Sequence, residues 1–256
     1  MNYRIAIASH KRPERLKKET LSLLERAGIS KDIIDIYIDF DEEKDYVKVL
    51  PDYGFHLHNT KGLKDIRTMI AKKYKEGDYV VFIDDDMRNI LHFEDKKKYN
   101  RNDNNLKDLI KIGFENCEKE NAGLWGCCPY DNPFFGNQKV STNLKYIGQG
   151  CCGAIINHEA EERSYTTIED FERTIKYFLK DGKVIRVNNY GFETKNYAEG
   201  GLTDYRNFEN KEEDIKDLCS KYPDMVKIKY RKTKGEIIKK PHSVDIRFNY
   251  NFKKKQ

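Results

Sequence analysis

Apolar and polar positions repeat with two different periods in the first third of the chain, and the two periods alternate. In YRIAIAS, Ile5 and Ile7 fall on one side of an extended chain, which predicts a strand. HKRPERL follows as a polar turn in which Pro13 suits the first turn of a helix. RLKKETLSLLERAG predicts that helix, with Leu16, Leu23 and Leu24 as its apolar positions and Gly28 as its stop. Ile34, Ile36 and Ile38 alternate in DIIDIYID, and FHLHNT is a third short strand. GLKDIRTMIAKKYKEG returns to the helical period through Leu63, Ile66, Ile70 and Tyr74, closing at Gly77. YVVFIDD is a continuous apolar run of the kind buried on both faces of a sheet.

This order predicts an α/β fold with a central, mostly parallel sheet flanked by helices. Ligands of such sheets bind beyond the carboxyl ends of the strands. SHKRP, DFDEE and DDDM all lie at carboxyl ends, so they are expected to converge on one crevice. The remainder is less regular. Residues 96–108 (KKKYNRNDNNLKD) are polar and Asn-rich, which suggests a mobile loop. LKDLIKIGFENCEKE reads as a helix, GLWGCCPYDNPFFGNQ as a strand and a wide loop, and YIGQGCCGAIINHE as a Gly-rich strand region. TIEDFERTIKYFLKDGK is a helix with Ile168, Phe171, Ile175 and Phe178 on one face and Gly182 at its end. No repeat or low-complexity linker divides the chain, so a single domain over 1–256 is expected.

Composition narrows the setting. The chain is 38% hydrophobic and 36% charged. No apolar run approaches the roughly 20 residues that span a bilayer, and MNYRIAIASHKRP lacks the features of a signal peptide, so a cytoplasmic location is expected. Six cysteines, at 117, 127, 128, 151, 152 and 219, lack zinc-site spacing and read as reduced, buried thiols. Net charge is +5, but Lys227–Gln256 alone carries +9, leaving −4 for the rest. A basic end suits a polyanion, either nucleic acid or nucleotide phosphates; it also suits a merely solvated tail.

The candidate chemistry centres on VVFIDDDMRN, where four apolar residues run into Asp84, Asp85 and Asp86. Adjacent carboxylates repel, and clustered charge near a core is costly unless something compensates it. Hard divalent cations take carboxylate oxygens and keep waters or substrate phosphates as further ligands. Asp84 and Asp86 share a face of an extended chain, so one can hold a metal while the other reaches a ribose or sugar hydroxyl. His242, in KKPHSVD, has Arg231, Lys232, Lys239 and Lys240 close by, as a metal–diphosphate site would require. In TIED, Thr167 is expected as the N-cap, with Glu169 and Asp170 in the first helical turn. There they serve the helix dipole, or supply a general base facing the crevice. Gly148, Gly150 and Gly153 permit close backbone approach to a ligand. Arg12, on the first crevice loop, and Arg67, on the helix before the acidic strand end, are surface cations or phosphate contacts.

Taken in order, IASHKRP, GLKDIR, FIDDDM, GQGCCG, IED and the late His242 resemble a GT-A glycosyltransferase. HKRP, IDDDM, EDFERTIKYFLKDG, GGL at 200–202 and YPDMVKIKYRK further resemble the DNA glycosyltransferases associated with TET/JBP oxygenases, including base J glucosyltransferase and phage relatives. That resemblance implies a nucleotide-sugar-binding half (1–95), an acceptor half (96–226) and a basic C-terminal segment (227–256). It implies a UDP-sugar donor, UDP-glucose foremost, with Mn²⁺ or Mg²⁺ held by Asp86 and His242. Ser9, Arg12, Arg67, Asp84, Asp85, Gly150 and Lys232 would contact the nucleotide-sugar. Asp170, or else Glu169, would act as the base in an inverting transfer to the hydroxyl of a hydroxymethylpyrimidine in DNA. A phage-encoded enzyme would work in the host cytoplasm. Trp125, Phe134 and Phe135 would help hold DNA by stacking, or are ordinary core and loop aromatics.

Rival readings are a GT-A enzyme acting on protein, lipid or polysaccharide, a metal-dependent nucleotidyltransferase, and a non-catalytic DNA-binding module. The absence of glycine from ASHKRPERL disfavours the nucleotidyltransferase, and the acidic triplet disfavours the binding module.

Overall fold

The period-two strands sort their side chains onto two faces. In the computed structural model, which describes residues 1–194, 207–233, 236–237 and 240–253, β1 (Arg4–Ala8) sends Ile5 and Ile7 to one core and Ala6 to the other. The same split runs through β2 (Ile34–Asp39) and β4 (Tyr79–Ile83). Between them in sequence lies β3 (Phe55–His58). The first core receives α1 (Pro13–Leu16), which continues through a π-turn (Lys17–Leu21) into α2 (Ser22–Arg26). Tyr46 of α3 (Glu43–Val49) packs there too. The second core receives α4 (Leu63–Ala71). Gly28 and Gly77, expected as helix stops, both have positive φ, where an L side chain would be strained.

The main sheet has eight strands in the order β3-β2-β1-β4-β9-β7-β10-β8. Its later members are β7 (Leu124–Cys127), β8 (Val140–Ser141), β9 (Cys151–Ile155) and β10 (Ile185–Val187). β3, β2, β1 and β4 are parallel, and so are β7 and β10. β9 is antiparallel to both β4 and β7, so β7 and β10 point the same way as β4. β8 closes the edge antiparallel to β10. Strand order reverses at β1, with β2 on one side and β4 on the other. That reversal opens a crevice at the carboxyl ends of β1 and β4.

β5 (Met87–Phe93) leaves the main sheet for a three-stranded one, between β11 (Tyr190–Thr194) and β6 (Tyr99–Asn100). The three aspartates are therefore the joint between two sheets. β6 also corrects the expectation of a mobile loop at 96–108. His92 and Phe93 pair with Asn100 and Tyr99, and the Asn105 amide donates to the carbonyls of Ile90 (2.9 Å) and Asn100 (3.3 Å). Asn102 and Asn105 there bind backbone groups.

α5 (Asn105–Glu120) covers the first core, while α6 (His158–Glu161), α7 (Glu169–Asp181) and α8 (Phe208–Lys221) cover the second. The hairpin β12 (Val226–Tyr230) and β15 (Val244–Phe248) buries Val226, Val244, Ile246 and Phe248 against that second core. The small pair β13 (Lys232–Thr233) and β14 (Glu236–Ile237) lies between them in sequence. Thr167 does not cap α7. Its hydroxyl donates to Asp214 of α8 (2.6 Å), and Ile168 holds the N-cap position. Trp125 is fully buried, edge-on to Phe114. Gly113 and Gly153 make room for it, since a Cβ at either would come within 2.3 Å of the indole. It is core, which removes it from any DNA-contacting surface. Among the described residues no helix is long and apolar enough to cross a membrane.

Candidate active site at the carboxyl ends of the central strands

SHKRP, DFDEE and DDDM converge as their strand-end positions require. Ser9, one residue beyond β1, donates to Asp85 Oδ2 (2.6 Å). With that proton committed, Tyr46 Oη donates to Ser9 Oγ, 2.6 Å away. Glu42 accepts from the Lys11 backbone N–H (2.7 Å) and lies 2.5 Å from His10 Nδ1. Lys11 has φ 55°, and Arg12 then turns its side chain inward just before Pro13 starts the helix.

Each aspartate meets a different arginine. Arg67 Nη2 lies 2.6 Å from Asp84, Arg12 Nη2 2.6 Å from Asp85, and Arg15 Nη2 3.2 Å from Asp86. The three environments differ. Asp85 is 1% exposed and takes two Arg12 nitrogens plus the Ser9 hydroxyl, so it ties the first crevice loop to the end of β4. Asp84 and Asp86 keep side-chain exposures of 35% and 19%. Burial, then the charges of Asp84 and Asp85, push the Asp86 carboxyl up to about 6. Arg15 and Arg12 offset only part of this, so the Asp86 carboxylate is held in an unfavourable setting.

Thr20 clamps the turn from behind. Its hydroxyl donates to the Asp84 carbonyl (2.7 Å) and accepts from Met87 N–H (2.9 Å). The Asp84 N–H donates to the Gly150 carbonyl (3.1 Å). Gly150 is also required by packing, because a Cβ there would come within 2.7 Å of the Phe192 ring. Arg67 is 7% exposed, and its Nε and Nη1 are buried without a hydrogen-bond partner among the described residues. Buried N–H donors left unpaired are expensive, and these belong to the guanidinium that pairs with Asp84.

The carboxylates on α7 separate clearly. Glu169 is 4% exposed and accepts from Arg163 Nε (3.2 Å), inside a buried network where Glu161 joins Arg163 (2.8 Å) and Arg173 (2.7 Å). Asp170 is half-buried; it accepts the Tyr146 hydroxyl on Oδ2 and the Phe171 N–H on Oδ1 (3.0 Å). The side chains of Lys232 and His242 lie outside the described residues. His242 belongs to the short 3₁₀ turn Pro241–Ser243 that enters β15.

Among the described residues, no group of three or more His, Cys, Asp or Glu side chains is arranged to hold a metal by itself. Two partly exposed, crowded carboxylates fit a hard cation that completes its shell with waters and phosphate oxygens. Sequence reasoning missed Arg15, Thr20, Tyr46 and Tyr146. Thr20 alone left a signal, a hydroxyl four residues after Leu16 on a buried stripe.

Asp85→Ala is expected to lower stability by about 3 kcal/mol, as for other buried charge pairs that lose one partner. Urea denaturation of the metal-free protein measures it. An unchanged midpoint would mean that Asp85 does not tie the two loops.

No protein-family model matches the chain, and neither does any curated protein. Solved structures do. The chain is similar to residues 1–349 of S. aureus TarS in complex with UDP-GlcNAc, at 12% identity and TM-score 0.53 over 86% of this chain and 67% of that one. It is also similar to the mannosyltransferase PcManGT from Pyrobaculum calidifontis in complex with GDP-Man and Mn²⁺, at 10% identity and TM-score 0.55, over 87% of this chain and 66% of that one. The fold is thus GT-A, and the chain spans about two thirds of the length of each of those structures.

Proposed function

We propose that the protein is a metal-dependent, inverting glycosyltransferase that moves a sugar from a UDP-sugar to the hydroxyl of a hydroxymethylpyrimidine in DNA. The observation that carries the transferase reading is the pairing of Asp84 with Arg67, whose Nε and Nη1 have no partner among the described residues, in the same turn as Asp86 and beside the point where the strand order reverses. A diphosphate would satisfy those nitrogens, and a cation would offset the aspartates. The donors bound by the two similar structures, a UDP-sugar and GDP-Man with Mn²⁺, support the same assignment. The DNA acceptor is supported by the sequence resemblance and by the +9 C-terminal stretch.

Asp86, with His242, would hold Mn²⁺ or Mg²⁺, which when bound stabilises the negative charge of the departing UDP. Asp84 would accept a hydrogen bond from a ribose or sugar hydroxyl, and Arg67 would bind diphosphate oxygens, with Lys232 adding positive charge. Ser9, Arg12 and Asp85 would shape the nucleotide pocket from behind rather than touch the donor. Asp170 would take the acceptor proton. It keeps access to solvent, whereas Glu169 is consumed by Arg163.

UDP with Mn²⁺ at about one hundred times Kd should add roughly 2.7 kcal/mol to stability and raise the melting temperature by about 5–10 °C. A UDP-sugar panel followed by mass spectrometry of hydroxymethylated DNA tests the rest. Absence of any thermal shift rejects the donor site, while sugar transfer to another acceptor rejects only the DNA.

A further inference from the structure

The loop leaving β7 presents three large aromatic rings beside two cations that lack a counter-charge among the described residues. Tyr130, Phe134 and Phe135 are 52%, 63% and 54% exposed. Their rings form one cluster, with centroids 4.9 Å apart for Tyr130 and Phe135 and 5.5 Å apart for Phe134 and Phe135. The rings are held on a shaped turn. The Asn132 side chain caps the 3₁₀ segment Pro133–Phe135 by accepting from Phe134 N–H (3.0 Å), and Asn137 N–H donates to the Asn188 carbonyl (3.2 Å).

Behind this cluster lies Arg186 of β10, 8% exposed, with Nη2 at 3.6 Å from Cys128 Sγ and a buried Nε that has no partner among the described residues. The Cys128 thiol reaches the Phe135 carbonyl at 3.8 Å, which links the cation to the aromatic turn. Lys145 is half-buried, with Nζ 2.9 Å from Ser141 Oγ and 3.4 Å from Asn188 Oδ1. Burial, and then the charge of Arg186, push the Lys145 pKa down, as expected for two cations without an anion between them. Among the described residues no carboxylate pairs with either. β7 and β10 run parallel to β4, so their carboxyl ends open on the same side of the sheet as Asp84 and Asp86.

We infer that this is the seat of the acceptor strand: an unstacked nucleobase lies in the corner of the perpendicular Phe134 and Phe135 rings, face to one and edge to the other, and its neighbouring phosphate is bound by Arg186 and Lys145. The inference rests on the DNA-acceptor reading above and gives it a location. A single-stranded nucleic acid repeats one flat π-face and one phosphate per unit, which matches a ring cluster adjoining unpaired cations. A neutral polysaccharide supplies no anion, and an acidic peptide supplies no ring at each unit. Stacking tolerates any base, so the seat takes strands without a hydroxymethyl group.

The test is fluorescence anisotropy of a labelled, unmodified single-stranded oligonucleotide with the full chain at several salt concentrations. The Phe134→Ala/Phe135→Ala double variant is expected to bind at least tenfold more weakly with an unchanged salt slope. Lys145→Gln and Arg186→Gln are each expected to lower the slope of log K against log salt by about 0.7, the value for one phosphate of a single strand. Because Arg186 is buried, Arg186→Lys is the companion variant: it keeps the charge and should keep the slope. Thermal midpoints confirm that each variant is folded. Wild-type binding that none of these substitutions alters would move the seat elsewhere and leave the DNA acceptor standing. A wild type that binds no DNA would overturn the seat and the DNA acceptor together.

Discussion

Asp86→Asn should lower sugar transfer about a thousandfold and, in the same molecule freed of metal, raise the melting temperature. The loss of activity follows from removing a proposed metal carboxylate, since several kcal/mol of leaving-group stabilisation corresponds to roughly three powers of ten. The gain in stability follows from the crowding at the turn. Burial, Asp84 and Asp85 raise the Asp86 carboxyl from the ordinary 3.8 to about 6. A carboxyl whose folded-state value is raised contributes its stability below the unfolded value and loses it as pH rises through the folded one. At pH 7.5 the ionised side chain therefore destabilises the metal-free fold. Discounted for the solvent that reaches it, the penalty is on the order of 2 kcal/mol, or about 4–8 °C. Thermal melts in EDTA at pH 7.5 and near pH 4 check the sign: the variant should be the more stable at the higher pH, and the gap should close at the lower. A variant that melts lower at pH 7.5, or by a margin independent of pH, would contradict the account of the charge crowding.

Asp170→Asn should lower transfer by about two to four powers of ten, the usual contribution of a positioned general base. The thermal shift with UDP and Mn²⁺ should persist, because Asp170 lies on α7 and pairs with Tyr146, apart from the three arginine–aspartate pairs. Glu169→Gln is the contrasting arm. It removes the charge facing a buried Arg163, so it should cost stability on the order of 3 kcal/mol while leaving the chemical step in folded protein nearly intact. Single-turnover transfer with saturating donor separates the two. If Glu169→Gln abolishes transfer in folded protein and Asp170→Asn does not, the roles must be exchanged.

The candidate site was legible in proportion to how local its causes are. An apolar run ending in three aspartates marks a buried strand meeting a polar crevice, and β4 does this. The difference among the three aspartates was only partly legible. Alternation set Asp84 and Asp86 apart from Asp85, but Asp85 is committed to Ser9 and Arg12, more than seventy residues earlier. Trp125 stood open to two readings, a ring that stacks on DNA or an ordinary core or loop aromatic. It is buried because Gly113, on α5, and Gly153, on β9, leave the indole a slot. The Asn-rich stretch at 96–108 looked mobile, yet pairing with β5 orders Tyr99 and Asn100.

The local periods and stops therefore determined β1 to β4 and the helices that follow β1 and β3, though not α3, β5 or β6, and with them the mostly parallel sheet and the end of it that carries the polar loops. They did so because side-chain direction repeats every two or about 3.6 residues, whatever lies opposite. Tertiary structure alone decided that Arg12, Arg15 and Arg67 each meet a different aspartate, that Glu169 turns to Arg163 while Asp170 stays accessible, and that Arg186 and Lys145 lack an acidic partner among the described residues. Charge pairing depends on distances across the fold, and no spacing along the chain encodes which opposite charge will arrive.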